Sequence, residues 1–237
     1  MHLYIANKVY SSWSMRPWIA MRMLDIAFDE TVIPFNDPAF KSKVAALSPA
    51  GQVPFLIDGD ILVWDSLSIL EYLADKFPEK QLWPKDKVAR AHARSISAEM
   101  HTRYRDLRQA CPMNLGRRYA TRDRGAGVAR DVARFSALVR EARGRWGEAS
   151  GERFLYGAFG AADAMYAPLV SRLDTYGITV DEITRAYAEA VLSTSAFIAW
   201  RDAALDEPWL YYGDEVDERA TAELRPGITC WVGPETN

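Results

Sequence analysis

The sequence predicts two unlike halves: an α/β half of order β-α-β-α-β-β-α over about residues 1–80, and an all-α half with a C-terminal tail over residues 87–237. Three observations carry this. Short apolar runs of strand character alternate with a helix-like segment through about residue 64. The segment KFPEKQLWPKDK at 76–87, with two prolines and several charges, reads as a linker. Beyond it, apolar residues recur every three or four positions, the period of a helix.

Taken in order, HLYIA at 2–6 and TVIPF at 31–35 read as strands flanking a helix over 14–26, and Pro34 puts the second strand at a sheet edge because it has no N–H for a ladder. A loop with a short helix follows. VPFLIDGDILVW is two apolar runs joined through Asp58-Gly59, a strong hairpin signal. Residues 65–76 begin with Asp-Ser, an N-cap pair, and set Leu70, Leu73 and Phe77 on one helical face. In the second half, Ile96, Met100, Tyr104, Leu107 and Cys111 mark one long helix ended by Pro112, and Val128, Val132, Phe135, Val139, Ala142 and Trp146 mark another. Residues 161–176 are apolar nearly all round, a central buried helix with Gly177 as its C-terminal glycine. Two more helices fall at about 180–191 and 195–205. The rest, with Trp209, Tyr211, Tyr212 and Trp231, reads as a tail packed over the body.

At 49% hydrophobic and 26% charged residues the chain has material for a full core. A formal charge of −3 argues against a nucleic-acid partner. One local run departs from this balance: nine arginines lie between Arg117 and Arg145, either a solvated face or an attractor for an anionic small molecule, while the end of the chain leans acidic. Cys111 and Cys230 have no disulfide or zinc spacing, so no metal is expected and a reducing compartment suits them. The start, MHLYIANK, lacks the pattern of an export signal, and no apolar stretch nears the ~18 residues of a membrane span. A cytoplasmic protein without membrane contact is expected.

The search for chemistry narrows to the first half. There is no G-x-S-x-G, P-loop or G-x-G-x-x-G, and His2, His92 and His101 have no sequence tie to a nucleophile. YSSWSMRPW remains, with three serines in four residues. Ser14 fits a helix N-cap, with Pro17 in the first turn where a missing N–H costs nothing. Ser11 and Ser12 are then left over. Pro54 follows Gly51-Gln52-Val53 at a strand start; a cis bond there would turn backbone groups outward to pair with an extended peptide-like ligand. Asp65-Ser66 opens a helix, where free amides suit a carboxylate and the aspartate an amine. The set describes a site for a small peptide with a free amino-acid end.

These residues resemble a cytosolic glutathione transferase, over most of the chain to about residue 205. SSWSMR, QVP and DS stand where the family carries its catalytic hydroxyl or thiol, its cis-proline and its γ-glutamyl site, and GAFGAADAMYAP stands at its buried helix. The resemblance implies a thioredoxin-like first domain, glutathione as co-substrate, and a twofold homodimer. It implies Ser12 as the hydroxyl that holds the glutathione thiolate, four residues before Arg16, with Ser11 as its neighbour. Gln52, Val53, Pro54, Asp65 and Ser66 would bind glutathione. Trp13 and Tyr104, with Met113 and the aromatic tail, would wall an apolar pocket for a small electrophile. The serine cluster is most similar to the zeta class and its maleylacetoacetate isomerases, with Trp13 at their cysteine; Gly160 stands where the family's capping box has Ser or Thr. A glutathione-dependent isomerase or dehalogenase, or a noncatalytic binding module of this fold, is the alternative implied.

Overall fold

The computed structural model describes residues 1–225, 227 and 228. The α/β half runs β1 (His2–Ile5), α1 (Ser12–Met23), β2 (Asp29–Val32), α2 (Phe40–Leu47), β3 (Phe55–Asp58), β4 (Ile61–Val63) and α3 (Ser66–Lys76), in the order the sequence predicts. The sheet order is β2-β1-β3-β4: β1 and β2 pair in parallel, the other pairs antiparallel. Asp58 pairs with Ile61 across the hairpin, and Gly59 takes the left-handed backbone (φ 59°) that its first loop position requires. Pro34 lies just past β2, which ends at Val32.

The helical half comprises α4 (Lys87–Thr102), α5 (Arg105–Ala110), β5 (Arg117–Arg118), α6 (Ala126–Ala142), α7 (Ala161–Thr175), α8 (Glu182–Leu192), α9 (Ser195–Leu205) and β6 (Ala222–Glu223). α7 is buried along nearly its whole length and packs against both α1 and α4, so it joins the two halves in one core. Its start explains Gly160. The Asp163 carboxylate accepts the amides of Gly160 (2.9 Å) and Leu155 (3.1 Å), while a Cβ at Gly160 would sit 2.8 Å from the Leu82 carbonyl oxygen. Serine does not fit there, whatever its merit as a cap. Gly177 follows the helix at φ 57°, as expected of a C-terminal glycine.

One expectation is corrected and two are refined. The single helix over 88–111 is broken at Tyr104, which has φ 62° and starts a second helix whose Leu107 amide is taken by Asp131 of α6 at 2.9 Å. The second half is helical as expected, with one addition: the two-residue strands β5 and β6 pair antiparallel and fasten the tail. The arginine run is for the most part a solvated face, with Arg122, Arg130, Arg134, Arg140 and Arg145 exposed, and its members are engaged by the protein itself. Arg117 pairs with Glu215 and Glu223, Arg122 and Arg124 with Glu218, and Arg118, Arg130, Arg134, Arg140 and Arg145 with other carboxylates. Arg143 donates to the Glu152 and Phe154 carbonyls. Among the described residues no helix is long and apolar enough to cross a membrane. Cys230 and Trp231 lie outside the described residues.

Candidate active site

The turn between β1 and α1 is tied down by Asn7: its carbonyl accepts the amides of Tyr10 (3.1 Å) and Ser11 (2.8 Å), and its side-chain oxygen accepts the Phe35 amide at 2.7 Å. This fixes where α1 begins, two residues earlier than the sequence suggests. Ser14 is therefore not the cap. It lies inside the first turn, fully buried, with its hydroxyl accepting from the Ala6 amide (3.3 Å) and from the Ser11 hydroxyl (2.7 Å). Ser11 holds the N-cap position but makes no side-chain cap bond. Pro17 falls in the second turn. Ser12, the first residue of α1, is 8% exposed, and its hydroxyl has no hydrogen-bond partner among the described residues.

Ser12 opens onto a cleft of about 780 Å³ between the two halves. Ser11 and Trp13 line it from α1, Gln52, Val53 and Pro54 from the turn before β3, and Asp65 from the head of α3. The Val53–Pro54 peptide is cis. Asp65 caps α3, its Oδ1 accepting the Leu67 amide at 3.0 Å, and its Oδ2 lies 3.1 Å from Nε2 of His101. Two expected residues do not line the cleft. Ser66 is buried beneath it, its hydroxyl accepting from Arg16 at 3.4 Å. Tyr104 points into the core, its hydroxyl 3.5 Å from that of Tyr166, and burial pushes its phenol up to about 12.

Arg16 sits 4.0 Å from the Trp13 ring, entirely buried; burial, then repulsion from Arg172 and Arg108, lowers its guanidinium to about 9. Arg108 and Arg172 also line the cleft, and neither forms an ion pair among the described residues. Arg172 donates to the carbonyls of Cys111 and Pro168, each at 2.8 Å, and burial lowers it to about 10. Asp214 of the tail shares this wall, its carboxyl raised by burial to about 6 against the pull of Arg172. The far wall is thus not simply apolar: Pro112 and Met113 alternate with two cations and a carboxyl. His101, Arg108, Arg172 and Asp214 were not expected here. Arg172 alone carried a readable signal, as an arginine in an otherwise apolar helix.

Comparison with known proteins adds four findings. A family model for the glutathione S-transferase N-terminal domain matches residues 10–76. A probable maleylacetoacetate isomerase of Caenorhabditis elegans is 40% identical over 96 residues, 40% of this chain but only 44% of that protein. The maleylacetoacetate isomerase of Pseudomonas aeruginosa is 27% identical over 207 residues, 86% of this chain and 95% of that protein. Among solved structures, a glutathione transferase homolog from Burkholderia with bound glutathione superposes with a TM-score of 0.66 at 18% identity, covering 87% of this chain and 98% of that one. This last likeness establishes the fold, a thioredoxin-like half joined to a helical one.

Proposed function

We propose that the chain is a member of the cytosolic glutathione transferase superfamily, as the match of residues 10–76 and the isomerase relatives support, that its cleft binds glutathione, and that Ser12 holds the sulfur as a thiolate for attack on a small electrophile. A free thiol near pKa 8.5 is mostly protonated at neutral pH, and only the thiolate attacks. A serine hydroxyl is no base under these conditions but donates well to an anion, and the positive end of α1 acts in the same sense. The observation that carries the reading is the difference between neighbours: the Ser11 hydroxyl is spent on Ser14, whereas that of Ser12 is unengaged at the cleft. Gln52 and Val53 would then meet the peptide part of glutathione, Asp65 its ammonium, and the amides around Ser66 its carboxylate. In this reading residues 1–80 form the glutathione-binding domain and 87–237 the acceptor-binding domain of a cytoplasmic homodimer.

A second reading has support of its own. Two guanidiniums without carboxylate partners, Arg108 and Arg172, favour an acceptor that carries negative charge, and an isomerase of such an acceptor would use the same thiolate. The glutathione assignment is tested by calorimetry on Asp65→Ala, expected to weaken binding by ~1–3 kcal/mol without unfolding. Unchanged affinity removes the γ-glutamyl assignment.

A further inference from the structure

Asp65 has two carboxylate oxygens, and both are engaged. Oδ1 takes the Leu67 amide, and Oδ2 faces the His101 imidazole at 3.1 Å. His101 stands in the last turn of α4, edge-on to Trp13 with 5.0 Å between ring centroids, and its Nδ1 is buried with no hydrogen-bond partner. Resting on the glutathione reading above, we infer that His101 is a proton-operated gate on Asp65: its imidazolium competes with the γ-glutamyl ammonium for that oxygen, and its neutral form, which still donates from Nε2, does not repel the ammonium.

The chemistry of the ring sets the direction. Neutral imidazole carries one N–H, which suffices for the contact at Nε2 and leaves the buried Nδ1 as a bare lone pair. Protonation adds an N–H at Nδ1 that has no acceptor there, so the ion pair with Asp65 is what compensates the charged ring. An ammonium arriving at the same carboxylate removes that compensation and repels the imidazolium. Ligand binding therefore expels the proton, and a proton on His101 weakens ligand binding. Two cations about 4 Å apart at these half-exposed positions change an affinity roughly five- to thirtyfold.

The neighbouring charges leave His101 as the group that acts. Arg16 of α1 and Arg108 of α5, on the Trp13 ring at 4.0 and 5.5 Å, stay cationic throughout the range that matters. On its own helix, Glu99 is paired with Arg103 and Arg134. Asp214 lines the same cleft and is held up to about 6, so it needs a control.

The test is titration calorimetry with S-methylglutathione, which has no thiol to ionise, at pH 5, 6 and 7, where its own amine and carboxylates keep their charge. Wild-type affinity should rise about five- to thirtyfold across this range, with proton release seen as a dependence of the heat on buffer ionisation enthalpy. His101→Gln should bind tightly and His101→Lys weakly, both without pH dependence, and Asp214→Asn should keep the wild-type slope. A flat wild-type profile, or a slope that survives in His101→Gln, overturns the gate and leaves the glutathione reading standing. Absence of wild-type binding at every pH overturns both.

Discussion

Replacing Ser12 by alanine isolates the step on which the proposed chemistry depends. The structure leaves this hydroxyl free at the head of α1 while Ser11 donates to Ser14 at 2.7 Å, so one donor rather than two is aimed at the sulfur. A hydrogen bond to a charged group is worth ~1.5–3 kcal/mol, and 1.36 kcal/mol corresponds to one pKa unit, so Ser12→Ala should raise the pKa of bound glutathione by ~1–2 units. At neutral pH the thiolate fraction, and conjugation to an aryl halide with it, should fall by up to ~10- to 100-fold with affinity nearly intact. The assay is the near-ultraviolet absorbance of the bound thiolate, titrated from pH 5 to 9. Cys111 does not interfere, because burial pushes its thiol up to about 11; a Cys230→Ala background removes the other thiol. Ser14→Ala should instead destabilise the fold by ~1–3 kcal/mol, since the Ala6 amide and Ser11 hydroxyl lose a buried acceptor, while the signal persists. An unshifted titration in Ser12→Ala refutes the assignment, and loss of the signal in Ser11→Ala alone transfers it to the neighbour.

Three further outcomes are expected. Gly160→Ser should lower stability by ~1–3 kcal/mol in thermal or denaturant unfolding, because its Cβ would meet the Leu82 carbonyl oxygen at 2.8 Å, and a better cap regains only a few tenths; a stabilised variant would show that the contact yields. Asp214 titrates near 6 when folded against ~3.9 unfolded, so its contribution is complete below pH ~4 and lost as the pH rises through 6. Denaturant midpoints of Asp214→Asn relative to wild type should accordingly improve by ~1–3 kcal/mol between pH 4 and 7, and parallel profiles would contradict the burial argument. Light scattering should give the mass of a twofold dimer across concentrations; a strict monomer that still turns over would separate the cleft from dimerisation.

What the sequence made legible is what short stretches decide by themselves. The Asp58-Gly59 hairpin, the Asp65 cap and Gly177 at the end of α7 each depend on a handful of adjacent residues, and each lies where the pattern puts it. Ser14 went astray because the start of α1 is set by Asn7 and by Phe35, a strand away. Tyr104 breaks a helix with no glycine or proline to announce it, through the Asp131 carboxylate that takes over the Leu107 amide. Neither cause is visible within a window of one helix.

The cleft's far wall was hidden for the same reason in electrostatic form. Composition drew attention to the run from Arg117 to Arg145, yet every arginine in it is paired or bonded to a carbonyl, several with glutamates of the tail some hundred residues on. A buried cation is costly unless paired, so a dense run is the place where partners are supplied. Arg108 and Arg172, outside the run on either side, have no carboxylate bound to them and face the cleft. Local charge density therefore marked a set of engaged arginines, three of which, Arg117, Arg122 and Arg124, hold the tail in place. The two that line the cleft feel Asp131 and Asp214 without forming an ion pair to either, a property of the assembled core around α7 and of no stretch of sequence within it.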